Sequence, residues 1–98
     1  MALPTPIPVD DTLGGTEILA EAQDGYKSIF IRNLSGTQAV DYSISGEAPV
    51  FGSCLKLAAN AELHITDAAG TGIGRHTSVK AIADAAQSAS IYVEAIQV

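Results

Sequence analysis

The chain has a single cysteine, Cys54, and no tryptophan in 98 residues. One cysteine rules out an internal disulfide. Small extracellular domains commonly rest on several, so folding in a reducing cytoplasm is expected. Basic residues are few: Lys27, Arg32, Lys56, Arg75 and Lys80, no two adjacent, against eleven acids and a net charge of −6. A surface that tracks phosphates needs clustered lysine and arginine, so neither nucleic acid nor an anionic membrane is an expected partner. No apolar run approaches the roughly 20 residues of a membrane span. Met1-Ala2-Leu3-Pro4 also lacks the basic and apolar regions of a signal peptide. Charged residues make up only 16% of the chain, below the usual quarter or so. Interfaces are depleted in charge, so part of the surface is expected to be covered by other subunits, most simply in a homo-oligomer.

What the chain does have is alternation. Its apolar fraction of 47% comes mainly from alanine, isoleucine, leucine and valine, and aromatics supply 5%. In Tyr26–Arg32, Ile29 and Ile31 alternate with Ser28, Phe30 and Arg32. In the stretch that follows, Val40, Tyr42 and Ile44 alternate with Asp41, Ser43 and Ser45. A period of two marks half-buried strands. The two arms, joined at Leu34-Ser35-Gly36-Thr37 with Gly36 free to take positive φ, read as a central antiparallel hairpin. Further strands are expected at 16–22, entering Tyr26 through a tight Asp24-Gly25 turn, and at 54–57, 61–66, 77–83 and 89–98. The last of these is apolar on both faces, which predicts a central or covered position. Before them, prolines at 4, 6 and 8 predict a stiff extended arm. The sum is an all-β protein: one antiparallel β-sandwich or barrel, jelly-roll-like, of six or seven strands. An N-terminal arm and loop over residues 1–15 precede the β domain at 16–98.

No constellation of catalytic groups emerges, and the chain is expected not to be an enzyme. Gly70-Thr71-Gly72-Ile73-Gly74 lacks the third glycine spacing of a dinucleotide fingerprint and the Gly-Lys-Ser/Thr of a P-loop. It reads as a flexible loop whose Arg75-His76 end is a candidate contact. Cys54, His64 and His76 match no zinc spacing, so no metal or other cofactor is expected. Paired carboxylates for glycoside chemistry want aromatic stacking partners, and tryptophan is absent. Asp10-Asp11 reads by default as a pair of solvated loop acids, with turn capping or cation binding as the alternatives.

Three phrases carry a resemblance: Ile31-Arg32-Asn33-Leu34-Ser35-Gly36, Asp41-Tyr42-Ser43-Ile44-Ser45-Gly46 and Leu57-Ala58-Ala59-Asn60-Ala61-Glu62-Leu63. Together they span about residues 26 to 72, and the closing Ile91-Tyr92-Val93-Glu94-Ala95 strand agrees with them. In these phrases the chain resembles the small head decoration (cement) proteins, or related capsid-surface proteins, of tailed bacteriophages. The resemblance implies a structural virion protein made in the host cytoplasm. Such a protein would sit on the capsid surface and stabilise the shell by binding the major capsid protein across subunits. The arm residues Leu3, Pro4, Pro6, Ile7, Pro8 and Val9, together with Phe51, Arg75, Tyr92, Ile96 and Val98, are the candidate protein contacts. A stiff arm loses little entropy on docking, so it suits a reach across a neighbouring subunit. A phage tail, fibre or receptor-binding β module, or a small ligand-binding β domain, remains the alternative.

Overall fold

The proline-rich arm is built into the fold from residue 7 onward. The computed structural model describes residues 5–21, 23–44, 46–52, 55–66 and 78–97. Among these residues there is no helix. The strands are β1 (Ile7–Val9), β2 (Thr16–Leu19), β3 (Tyr26–Asn33), β4 (Val40–Ser43), β5 (Leu55–Leu57), β6 (Glu62–Thr66), β7 (Val79–Ala83) and β8 (Ala89–Gln97). The last seven lie where alternation predicts strands, and β1 brings the number to eight. Ile7 pairs with Ile91 and Val9 with Ala89, and Val9 is wholly buried. Residues 7–9 therefore lie within the sheet, inside the stretch that the sequence assigns to an arm and loop. Pro8 is tolerated because β1 is an edge strand, where a missing N–H can face the open side.

The pairings nest. β1 pairs with β8, β2 with β7, β3 with β6 and β4 with β5, all antiparallel. The chain is thus one long ribbon doubled back at the β4–β5 connection. Two further pairings, β3 with β8 and β4 with β7, roll the ribbon into two four-stranded sheets. The first sheet has the order β1-β8-β3-β6 and the second β2-β7-β4-β5. This arrangement corrects the hairpin reading of 26–45: β3 and β4 lie in different sheets and do not pair. The connection at 34–39 crosses between the sheets, and Gly36 does not use positive φ there. β2 and β3 are likewise split between sheets, so the Asp24-Gly25 turn also changes sheet.

One apolar core joins the two sheets. Ile29, Ile31, Ile91 and Val93 enter it from the first sheet, and Val40, Leu57, Val79, Ala81 and Ala83 from the second. Side chains this small keep the layer thin, and close packing makes each methyl group count. β8 lies between β1 and β3, a central position in its sheet; its inward face enters the core and its outward face stays open. Tyr26 closes one end of the core, its hydroxyl donating to the Ala20 carbonyl at 2.6 Å. Burial, assisted by the nearby Glu17 charge, pushes its pKa above the ordinary tyrosine value.

At the opposite end, Asn33 is fully buried and ties two connections together. Its Nδ2 donates to the carbonyls of Gln38 (2.7 Å), Leu57 (3.3 Å) and Ala58 (3.3 Å), and its Oδ1 accepts from the Ser35 N–H at 3.0 Å. The β7–β8 turn closes through Gln87 N–H to the Asp84 carbonyl at 2.9 Å. Ala86 occupies its third position at φ 61°, and its N–H donates to Asp11 Oδ2 at 3.0 Å. A left-handed alanine costs about 1–2 kcal/mol, whereas glycine returns about 0.4–1 kcal/mol through unfolded-chain entropy. Ala86→Gly is therefore expected to raise the melting temperature by about 3–6 °C. Ala85→Gly, one residue earlier and not at positive φ, should lower it; thermal unfolding of the two variants checks the sign.

Candidate protein-contact surface

The outer faces of the two sheets differ in kind. That of the second sheet is covered in part by the chain itself, while Glu17, Lys80 and Ser43 beside the covered row keep some exposure. Asp41 pairs in register with Ile82 on one side and Lys56 on the other. All three alternate outward from the core residues, yet Asp41 and Ile82 are buried. The segment 46–52 lies over them as a strap. The Gly52 N–H donates to Asp41 Oδ2 at 2.6 Å, and the Lys56 ammonium lies 5.7 Å from the Phe51 ring centroid. Pro49, fully buried, reaches across to the backbone of Gly15, just before β2. The strap thus crosses the whole width of the sheet.

The outer face of the first sheet carries no such cover among the described residues. Register places its outward residues in rows: Tyr92, Arg32 and Glu62; then Glu94, Phe30 and His64; then Ile96, Ser28 and Thr66. Phe30 is at the centre. It meets the His64 ring edge-on at 6.1 Å between centroids and the Tyr92 ring at 6.3 Å, a geometry that favours aromatic pairs. The Tyr92 hydroxyl donates to Glu94 Oε2 at 2.8 Å. That bond holds the hydroxyl proton and raises the Tyr92 pKa, since ionisation would set two negative charges together. Arg32 Nη1 and Glu62 Oε1 are 3.2 Å apart; exposed pairs of this kind add about 0–1 kcal/mol, so this one marks the face more than it stabilises the fold. Ile96, at the open corner, is 60% exposed.

The expected contacts scatter. Tyr92 and Ile96 share this open face. Phe51 is on the opposite side of the molecule, half-buried and engaged by Lys56 within its own strap. Val9 belongs to the core and Ile7 packs against it, which removes Val9 as an outward contact, while Pro6 and Pro8 are exposed along the β1 edge. Leu3, Pro4, Arg75 and Val98 lie outside the described residues, as do Cys54, His76 and the Gly70–Gly74 loop. Phe30 and His64 complete the open face, and the signal for them was in the sequence: both sit out of phase with the inward isoleucines and leucine of their strands. Asp10 and Asp11 cap turns. Thr12 donates both its N–H (3.0 Å) and its hydroxyl to Asp10 Oδ1, and these donors hold the carboxyl below its ordinary pKa. Among the described residues, no three histidine, cysteine or acidic side chains gather where they could hold a metal ion, and no helix is long and apolar enough to cross a membrane.

Compared with known proteins, the chain matches no family model, no curated protein and no solved structure.

Proposed function

We propose that this chain is a structural virion protein: it decorates a tailed-phage capsid as an oligomer and stabilises the shell by binding across capsid subunits. The observation that carries the reading is the contrast between the two outer faces. One is crossed by the chain's own strap, which buries Asp41 and Ile82. The other presents an aromatic centre and an exposed isoleucine, with its charges Arg32, Glu62 and Glu94 set around them, the pattern of an apolar contact patch with a polar rim. The strand orders also fit an eight-stranded jelly roll, an architecture shared by viral capsid and lectin domains. Fold alone chooses no function, and the face narrows the choice.

Attachment at many equivalent sites on a shell gains from repetition, and a protein that binds only the assembled shell stabilises it by mass action. The test is co-sedimentation with capsids of the encoding phage from which the chain has been removed. A saturable, fixed number of copies per shell is expected, and the shell should melt at a higher temperature when decorated. Ile96→Asp, at an exposed position, should keep the fold and weaken binding at least about tenfold. The aromatic row also suits a small ligand-binding domain or a receptor-binding module. A monomer that ignores shells but binds a soluble glycan through Phe30 and Tyr92 would replace the capsid reading.

A further inference from the structure

A protein that bridges two subunits needs two contact regions, and the open face supplies one. The second is at the end of the sandwich where the connections 10–15, 34–39, 58–61 and 84–88 gather, all of them described. Leu13 projects there with 94% of its surface exposed, the most of any large apolar side chain among the described residues, and Leu34 is 43% exposed. Leu13 does not hang on a loose loop. The Gly15 N–H donates to the Thr12 carbonyl at 3.0 Å, and the Ala83 N–H donates to the Asp10 carbonyl at 2.9 Å. The turn is therefore fixed to β7 on one side of Leu13 and clasped by Pro49 at Gly15 on the other.

The charge carried by these connections has one sign. The four connections contain Asp10, Asp11 and Asp84, all exposed, and no lysine or arginine. The Asp10 and Asp11 carboxylates are held in place by the turns they cap. An apolar knob inside a fixed acidic border is complementary to one kind of surface: an apolar socket with a basic rim.

We propose that Leu13 is the anchor of a second contact, inserting into a basic-rimmed apolar socket on the adjoining capsid subunit while the open face of the first sheet rests on its neighbour. This rests on the capsid-decoration reading. A leucine on a backbone already held in place loses little backbone freedom on docking, so most of the gain from its burial is retained as affinity, and the acidic border speeds encounter with a basic rim at low salt.

The experiment uses the full chain and stripped shells. Wild type, Leu13→Asp and Leu13→Met are compared for shell binding at about 0.05 M and about 0.5 M salt. Leu13→Asp should weaken binding at least about tenfold while melting with the wild type, because its side chain lies outside the core. Leu13→Met should bind within about threefold of wild type. Wild-type binding should weaken as salt rises. Full binding by Leu13→Asp, or wild-type affinity indifferent to salt, overturns the socket and leaves decoration standing. Absence of shell binding by wild type at both salts overturns the decoration reading and the socket with it.

Discussion

Asn33→Leu is expected to lower stability by about 3–4 kcal/mol, moving the urea midpoint down by about 1.5–3 M. Leucine branches at the same atom, but its two methyl groups are larger than the amide oxygen and NH2, so some crowding adds to the loss. The main cost is polar. Asn33 is fully buried, and its amide satisfies three backbone carbonyls and one N–H across two separate connections. Leucine would abandon all four. A buried group left without a partner costs about 1–3 kcal/mol. The sum is smaller than four such penalties, because Gln38 and Ala58 lie close enough to the surface for water to reach their carbonyls. For a domain whose total stability is of order 5–10 kcal/mol, the loss is a large fraction. Asn33→Asp separates shape from chemistry: it keeps the Oδ1 acceptor for Ser35 but turns a carboxylate toward three carbonyls. It should be at least as unstable as the leucine variant near neutral pH. If either variant unfolds at the wild-type urea midpoint, the amide does not hold these connections together.

Gly15→Ala should cost about 2–4 kcal/mol by the same measurement, through sterics. At φ +79° a side chain is already strained, and its Cβ would lie 2.7 Å from both Pro49 Cγ and Cδ and 3.1 Å from the Ala81 carbonyl oxygen. A proline ring cannot swing aside as a flexible side chain does, and the carbonyl belongs to a core strand. The compliant partner is the strap, which must lift. Its lifting has a signature beyond the midpoint: the Gly52 N–H, donated to Asp41, should exchange with solvent faster than in wild type. Gly14→Ala is the control. Its φ is +92°, but nothing lies within 4 Å of its Cβ, so it should lose only the roughly 1–2 kcal/mol of left-handed strain and leave Gly52 protected. Equal losses in the two variants would mean that the Pro49 contact has no part in holding the strap.

How much of this was legible depends on what alternation encodes. Period two reports which face a residue occupies, and it did so well: Ile29, Ile31, Val79, Ala81 and Ala83 all point inward. It does not report which strand lies alongside. Tyr26–Asn33 and Val40–Ser43 are close in sequence and read as partners, yet β3 pairs with residues thirty or more positions away. Neighbours are decided by how the two sheets share one core, a non-local quantity. β1 was obscured for a different reason. Proline argues against strands in general, and only an edge position, visible once Pro8 is found opposite Ser90, makes it acceptable. The contact surface was half visible. Outward Tyr92 and Ile96 follow from the period, whereas their union with Phe30 and His64 needs the β3–β6 and β3–β8 registers. The strap was out of reach, because a carboxylate meeting an N–H eleven residues on follows from tertiary packing alone.

The nesting of the pairs also sets an order of assembly. Joined directly, β1 and β8 would close a loop of nearly the whole chain, and loop closure grows costlier with length. Once β4:β5, β3:β6 and β2:β7 are in place, only the connections at 10–15 and 84–88 remain to be closed. The entropy of the search thus runs from the middle of the chain outward, and the two termini meet last. The latest strand to be laid down is three residues long with a proline at its centre. The seam it seals rests on three residue pairs, and it adjoins the face proposed to bind the shell.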